Sequence, residues 1–186
     1  MIAQLHRGLA NDKAETGSSR VRQFLTFALN DEIYGIGILH IREIIEYANL
    51  TVVPLMPDFI SGVINLRGNV VPVINLARRF NHQPQEVGKR TSIIIVDILS
   101  NEGESVEVGI VVDIVNEVIE LAASEIAAPP TFGAKIRADF IQGMGKIDNK
   151  LMILLDVDHV LAIDDLLQVI EISEDLNSPA DKVSSG

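Results

Sequence analysis

The sequence contains no cysteine and no tryptophan, and aromatic residues make up only 4% of its 186 positions. Without cysteine the chain forms neither a disulfide framework nor a thiolate site, which is compatible with a reducing compartment. Because aromatic side chains are so few, the core has to be aliphatic, and isoleucine and valine are prominent among the 47% of residues that are hydrophobic. Branched side chains of this kind favour β-strands.

Basic residues and long apolar runs are also scarce. The chain has 15 Lys and Arg residues against 26 Asp and Glu residues, so its formal net charge at pH 7 is −11. Nucleic acids and anionic membrane surfaces usually require a basic face, so we expect neither as a partner. The N-terminal region lacks the apolar core of a signal peptide, and no apolar run reaches transmembrane length. These absences predict a cytoplasmic protein without direct membrane insertion.

The two ends of the chain differ in composition from its middle. Residues 1–20 are polar and end close to a Gly-Ser-Ser run, and residues 173–186 are polar and acidic. Both compositions are typical of segments that do not pack against a core. We therefore expect a flexible arm over residues 1–20, a folded domain over residues 21–172 and a disordered acidic tail over residues 173–186.

The middle of the chain contains a faint copy of itself. Tyr34–Glu46 aligns without a gap on Val108–Glu120, at an offset of 74 residues. Parts of a second block, Phe59–Leu76, match Phe140–Val157 at an offset of 81 residues. An internal repeat of this kind predicts one supersecondary unit that is built twice. Positions that the copies share then mostly report the fold, and function is free to lie where they differ.

Short apolar runs separated by turn residues recur along both copies, which predicts a mainly β protein made of two small antiparallel barrels. We place barrel one at about residues 21–88 and barrel two at about residues 89–157. An exchange of strands between the two barrels is compatible with the sequence.

A few segments favour helix or interrupted strand. Apolar spacing predicts a short helix over Leu39–Ile45 and a weaker helix or an extended link over Val115–Ile119. Pro72 indicates that its strand lies at an edge or contains a bulge. An amphipathic pattern that begins at a capping Asp158 predicts a C-terminal helix over about residues 158–170.

Signals of enzyme chemistry are weak. The four histidines lack the paired spacing of a metal site, and no nucleophile or phosphate-binding motif occurs. Four carboxylates cluster in the sequence, at Asp156, Asp158, Asp164 and Asp165. A small enzyme or ligand-binding barrel that uses these carboxylates is the alternative to a binding protein. We predict no catalytic residue, no cofactor and no metal.

The two copies differ most informatively at one turn. Asn65–Gly68 (NLRG) aligns on Lys146–Asn149 (KIDN), so only the first copy carries an arginine there. An arginine in a glycine-containing turn can project its planar guanidinium outward and suits bidentate bonding to a carboxylate. Glu43, on the predicted short helix, is the candidate partner of Arg67. Drift between two surface turns explains the difference equally well at this point.

Several motifs taken together resemble the CheW family of chemotaxis coupling proteins. They are Tyr34-Gly35-Ile36, Ile41-Arg42-Glu43-Ile44, Phe59-Ile60-Ser61-Gly62, Asn65-Leu66-Arg67-Gly68, Val71–Leu76 and, in the second copy, Val108–Asp113. The resemblance covers about residues 24–167, which is nearly all of the predicted folded domain.

This resemblance implies two SH3-like five-stranded β-barrels and a non-enzymatic adaptor that is recruited to membrane receptor arrays. It implies two partners, the cytoplasmic tip of methyl-accepting chemoreceptors and the regulatory domain of the histidine kinase CheA. A paralogue that binds only one of the two is the alternative within the family. The resemblance also implies partner-binding residues, with Glu43 and Arg67 as a matched pair and glycines that shape the turn: Ile41, Glu43, Ile44, Gly62, Asn65, Leu66, Arg67 and Gly68.

Overall fold

The computed structural model describes residues 20–100, 102–129 and 136–162, which form a mainly β protein. Two single-turn α-helices follow the fifth and the tenth strand, α1 (Leu76–Arg79) and α2 (Val157–Leu161). Ten strands account for most of the described chain: β1 (Val21–Leu29), β2 (Glu32–Gly37), β3 (Ile41–Glu46), β4 (Ile60–Leu66), β5 (Asn69–Asn75), β6 (Ser92–Leu99), β7 (Ser105–Val112), β8 (Ile114–Ala122), β9 (Ile141–Ile147) and β10 (Lys150–Leu155).

The strands form two five-stranded sheets of matching design. Sheet A has the order β8-β1-β2-β10-β9, and sheet B has the order β3-β6-β7-β5-β4. In each sheet an isolated bridge joins the segment that follows one edge strand to the other edge strand: Ala127, after β8, pairs with Met144 of β9, and Thr51, after β3, pairs with Val63 of β4. Each sheet thereby closes into one of the two SH3-like barrels, here called barrel A and barrel B.

The two copies of the repeat exchange strands. Barrel A takes β1 and β2 from the first copy and β8, β9 and β10 from the second, and barrel B has the reciprocal composition. The expectation of one barrel over about residues 21–88 and another over about 89–157 is therefore wrong in its assignment of strands to barrels. The register reflects the repeat, because the parallel pairs Gly35–Leu154 and Gly109–Val73 occupy equivalent positions.

The short link between β2 and β3 explains the exchange. In sheet A, β8 runs antiparallel to β1, which runs antiparallel to β2. A strand in the place of β8 therefore runs in the same direction as β2. If β3 took that place, it would have to start beside the first residue of the six-residue β2, about 20 Å from the residue where β2 ends. Only a three-residue 3₁₀ turn, Ile38–His40, separates the two strands. Three residues span at most about 11 Å, so β3 continues into the other sheet.

The largest hydrophobic cluster lies between the barrels and combines side chains from both copies. It contains an aromatic stack in which the centre of the Tyr34 ring lies 5.9 Å from the centre of the Phe27 ring and 5.6 Å from that of the Phe80 ring. Two smaller clusters fill the barrels, one around Phe24 in barrel A and one around Ile93 in barrel B. Since the shared cluster is larger than either barrel interior, the two barrels form one folding unit.

Three segments test the local predictions of helix and interrupted strand. The predicted helix over Leu39–Ile45 is wrong, because only a 3₁₀ turn precedes β3, whose branched side chains pair with β6. Residues Val115–Ile119 form part of β8, as the extended alternative had it. Pro72 lies in β5, which is not an edge strand, because β5 pairs with β4 on one side and with β7 on the other, where the parallel ladder begins at Val73. The bulge of this hairpin lies in the partner strand β4, between Ile60 and Gly62.

The cap of the last described helix also differs from the expectation. Asp156, not Asp158, is the N-cap of α2 and accepts a hydrogen bond from the backbone N–H of His159 at 3.2 Å. The remainder of the predicted C-terminal helix, residues 1–19 of the predicted arm and the tail over residues 173–186 lie outside the described residues. Within the described residues, no helix has the length and apolar character needed to cross a membrane.

Candidate partner-binding site

The candidate site is built on the two-residue turn between β4 and β5. Leu66 and Asn69 form the last pair of the hairpin, which leaves Arg67 and Gly68 as the turn. Both have positive φ, 53° for Arg67 and 87° for Gly68. Turns with two positive φ values match the twist of the flanking strands, and they favour Gly and Asn. The arginine is therefore held in a conformation that its residue type disfavours.

Local hydrogen bonding fixes the shape of this turn. The side-chain Oδ1 of Asn65 accepts a hydrogen bond from the backbone N–H of Gly68 at 3.0 Å. An Asn side chain that bonds to backbone nearby stabilises a turn in the way an extra backbone contact does. Open space surrounds Gly68, which makes its positive φ, not crowding, the reason for a glycine at this position.

Glu43 contacts the turn from the opposite edge of sheet B. Nη2 of Arg67 donates a hydrogen bond to Oε1 of Glu43 at 2.7 Å. The Arg67 side chain is 75% exposed and that of Glu43 is 28% exposed. The ion pair therefore spans the seam where β3 meets the β4–β5 hairpin, and it presents a largely exposed guanidinium to solvent.

Exposure limits the ion pair's contribution to stability and leaves it available to a partner. An exposed pair of this kind stabilises a fold by at most about 1 kcal/mol. The contact with Glu43 uses Nη2, and a guanidinium carries five N–H donors in a planar fork. Arg67 can therefore bind a partner's carboxylate while Glu43 holds the fork in position.

The remaining predicted site residues lie in several different environments. Ile44, beside Glu43 on β3, is 36% exposed and can contact a partner. Ile41 is buried in the cluster between the barrels and cannot do so directly. Leu66 is partly buried and packs against the interior of barrel B. Asn65 is exposed and shapes the turn.

Gly62 lies away from the turn that the resemblance assigned it to. It lies at the register shift of β4, where a Cβ atom would approach the carbonyl oxygen of Thr51 to 2.4 Å, and its φ is 149°. Gly143, the equivalent residue of the second copy, has a similarly close neighbour, with a Cβ position 2.5 Å from Cγ2 of Ile126. Since both barrels need this glycine, its role in the described structure is to close the barrel.

The second copy shows what the fold requires at the turn. Its equivalent turn consists of Asp148 and Asn149, with φ values of 47° and 65°. Glu117, the equivalent of Glu43, and Asp148 line a cavity of about 370 Å³, together with Thr26, Ile33, Asn116 and Ile147. Two carboxylates thus occupy the place of the acid–arginine pair. Barrel A closes without an arginine, so the barrel fold does not need one.

A second ion pair, between Arg42 and Asp97, lies close to the site and was not predicted from the sequence. Arg42, which follows Ile41 at a register shift between β3 and β6, donates from Nε to Oδ2 of Asp97. Nothing in the spacing of these residues indicates the contact, because it depends on the pairing of strands from different copies. Arg42 and Glu43 thereby give β3 two ion pairs at the edge of sheet B, and charges at a sheet edge discourage unwanted strand pairing.

Comparison with known proteins shows the family of this chain. The profile of the CheW-like domain matches residues 23–165. The chain belongs to the CheW-like domain family. It is 36% identical over 162 residues to the chemotaxis protein CheW of Klebsiella aerogenes, covering 87% of this chain and 95% of that protein. It is 34% identical over 139 residues to CheW of Bacillus subtilis, covering 75% of this chain and 86% of that protein.

A solved structure supports the same assignment. The crystal structure of the scaffolding protein TtCheW from Thermoanaerobacter tengcongensis matches with a TM-score of 0.70 and 34% sequence identity, covering 78% of this chain and 96% of that one. The chain is therefore a chemotaxis scaffold of the CheW type in fold and family. Across the described ranges, no group of three or more His, Asp or Glu side chains is placed to hold a metal ion.

Proposed function

We propose that this CheW-like protein is a non-enzymatic scaffold that couples the cytoplasmic tips of chemoreceptors to the regulatory domain of the histidine kinase CheA. Such a scaffold acts in the cytoplasm and joins receptor arrays at the membrane without inserting into it. Family membership supports the class of function. The acid–arginine pair of the first copy supports a partner-binding surface on barrel B.

The observation that carries the proposal is the unfavourable backbone of an exposed arginine. Arg67 adopts a left-handed conformation at a turn where Asp148 serves the second copy. A non-glycine residue with positive φ costs about 1–2 kcal/mol, and the exposed ion pair with Glu43 offsets at most about 1 kcal/mol of that. Residues that a fold keeps against local preference are concentrated at functional sites.

Two neighbours give the surface its chemistry. The Arg67 fork suits a carboxylate on the partner, and a bidentate bond fixes orientation as well as distance. Ile44, the next residue of β3, adds an exposed apolar side chain that points to the opposite face of the strand from Glu43. The surface therefore fits a partner with an acidic residue for Arg67, and Ile44 offers a separate apolar contact.

The test is co-sedimentation of the protein with receptor-bearing membranes, with and without the kinase. A scaffold is recovered with receptors alone and increases the amount of kinase recovered. Recovery with only one partner would identify a paralogue of narrower function, and recovery with neither would contradict the proposal.

The role of the pair is tested separately by a double-mutant cycle on Glu43→Ala and Arg67→Ala, read out as receptor-dependent kinase activity. If the two side chains act on each other, the effects of the single changes are not additive, and the charge-swapped double variant recovers part of the activity. Additive losses without recovery would mean that each residue contacts a separate partner group.

A further inference from the structure

The segment that joins β3 to β4 carries an unusual apolar surface. Residues 48–57 contain no charged side chain, although charged residues make up 22% of the whole chain. Within this segment Leu55 is fully exposed and Val52 is 75% exposed. Leu55 also has a φ of 62°, in the left-handed region.

Both properties of Leu55 disfavour a leucine. In the left-handed region the Cβ atom of any residue but glycine crowds the following carbonyl oxygen, and Asn or Gly would be tolerated far better. Full exposure leaves the apolar side chain in water, where it adds nothing to folding. Neither the backbone nor the core of this protein therefore accounts for a leucine at position 55.

The base of the segment is nevertheless well anchored. Val53 and Met56 pack against Ile60 and Val63 of β4, as Val70 of β5 does. The backbone of Thr51 exchanges two hydrogen bonds with that of Val63, each 2.9 Å long. Val52 and Leu55 thus project from a fixed support. A preorganised apolar projection loses little conformational entropy when it binds.

We infer that Val52 and Leu55 form an apolar docking knob that inserts into a pocket of the kinase regulatory domain, and that basic side chains border this pocket. The inference rests on the proposed scaffold function and adds the position and chemistry of one contact. The charge around the knob selects the partner chemistry. Exposed Glu46 and Asp58 flank the uncharged segment on its two sides, so a basic rim complements it.

The same charges disfavour two other occupants. A second copy of this chain would bring an equally acidic surface, since each chain carries a net charge of −11. An anionic lipid surface would be repelled for the same reason. The knob also lies over the outer side of the β4–β5 hairpin, whereas the Glu43–Arg67 pair lies at its turn. One hairpin can thus present separate contacts to the two proposed partners.

The test measures binding of the isolated kinase regulatory domain to the full chain by calorimetry. Leu55→Asn removes the apolar tip and keeps a residue that tolerates positive φ. We expect its affinity to fall about tenfold, the effect of losing one buried leucine contact, with an unchanged or higher melting temperature. Leu99→Asn is the matched control, because Leu99 is also an exposed leucine but lies at the end of β6. It should bind normally.

The charge at the rim is tested by Asp58→Asn, which should weaken binding about two- to threefold at low salt and less at high salt. An unchanged affinity of Leu55→Asn, with the wild type binding normally, would overturn the docking knob and leave the scaffold function intact. If instead the wild type does not bind the kinase domain at all, the proposed function itself fails. A change of Leu55→Asn in self-association or vesicle binding alone would assign the knob to a different occupant and overturn the inference.

Discussion

Replacing Arg67 by asparagine separates the needs of the fold from the needs of the proposed partner surface. Arg67 occupies a left-handed turn position with a φ of 53°, and asparagine is among the residues that tolerate this region. The change removes the guanidinium and its 2.7 Å bond to Glu43. We expect Arg67→Asn to abolish most receptor-dependent kinase activation while leaving the protein fully folded.

The magnitudes follow from two opposing terms. Relief of the left-handed backbone is worth up to about 1–2 kcal/mol. Loss of an ion pair whose arginine is 75% exposed removes at most about 1 kcal/mol. The net change in unfolding free energy should therefore lie between about zero and a gain of 1–2 kcal/mol. For a protein of this size, 1 kcal/mol shifts the melting temperature by about 2–4 °C.

The assay combines urea unfolding with kinase activity in reconstituted membranes that contain receptor. Asp148→Asn, at the equivalent turn of the second copy, is the matched control. It makes the same turn residue in barrel A, where no arginine is lost, and should leave activity and stability nearly unchanged. If Arg67→Asn activates the kinase normally, Arg67 is an ordinary surface residue. If it unfolds the protein, the arginine stabilises the fold in a way that its exposure does not reveal.

Three further changes probe the support of the site. Gly62→Ala should destabilise the protein by about 1–3 kcal/mol in urea unfolding, because the new Cβ would lie 2.4 Å from the carbonyl oxygen of Thr51; a loss below 0.5 kcal/mol would contradict this on the scale of ordinary surface changes. Arg79→Met should cost about 1–2 kcal/mol, since the guanidinium lies 4.5 Å from the Phe140 ring centre and donates to a carbonyl of α2; an unchanged stability would refute it. Burial, reinforced by a nearby glutamate, raises the pKa of Tyr34 well above its ordinary value, so the folded state keeps this phenol neutral. The part of the unfolding free energy that depends on this neutral phenol is fully present below the unfolded pKa of about 10 and is lost as the pH rises above it. Tyr34→Phe should therefore flatten the decline of stability at alkaline pH, and an unaltered decline would show that other groups cause it.

The fold class was predictable from the sequence because a duplication leaves two independent copies of the same pattern. The offsets of 74 and 81 residues predicted equivalent strands, and equivalent residues such as Gly35 and Gly109 do pair at equivalent positions of the two sheets. The distribution of strands between the barrels was not predictable in this way. Every strand keeps the same local pattern in either barrel, and only the length of the β2–β3 link decides between them.

The ion pair of the candidate site was predictable in its two residues but not in its geometry. The difference between Arg67 and Asp148 identified the turn, and the choice of Glu43 as its partner agrees with the 2.7 Å contact. The secondary structure predicted around Glu43 was wrong, since apolar spacing over the seven residues Leu39–Ile45 fits both a helix and an edge strand. Pairing with β6, which comes from the other copy, is the tertiary contact that selects the strand. Burial of Ile41 between the barrels depends on the same contact.

The exchange of strands predicts how the protein behaves when it is cut between its copies. The link from α1 to β6 is largely exposed around Gln85 and Glu86, so a cut there breaks no strand. Neither fragment then contains a complete barrel, because β1 and β2 lack their partners from the second copy. The three-residue link after β2 prevents β3 from folding back to pair with β1.

We therefore expect residues 1–85 and residues 86–186 to associate with each other when mixed in equal amounts. The mixture should recover the β-sheet circular dichroism and the cooperative unfolding of the intact chain, as a one-to-one complex in analytical ultracentrifugation. Each fragment alone should be unfolded or should form a homodimer that repeats the exchange with a second copy of itself. A fragment that folded as a stable monomer would contradict the argument from link length, because a single copy would then have closed its own barrel.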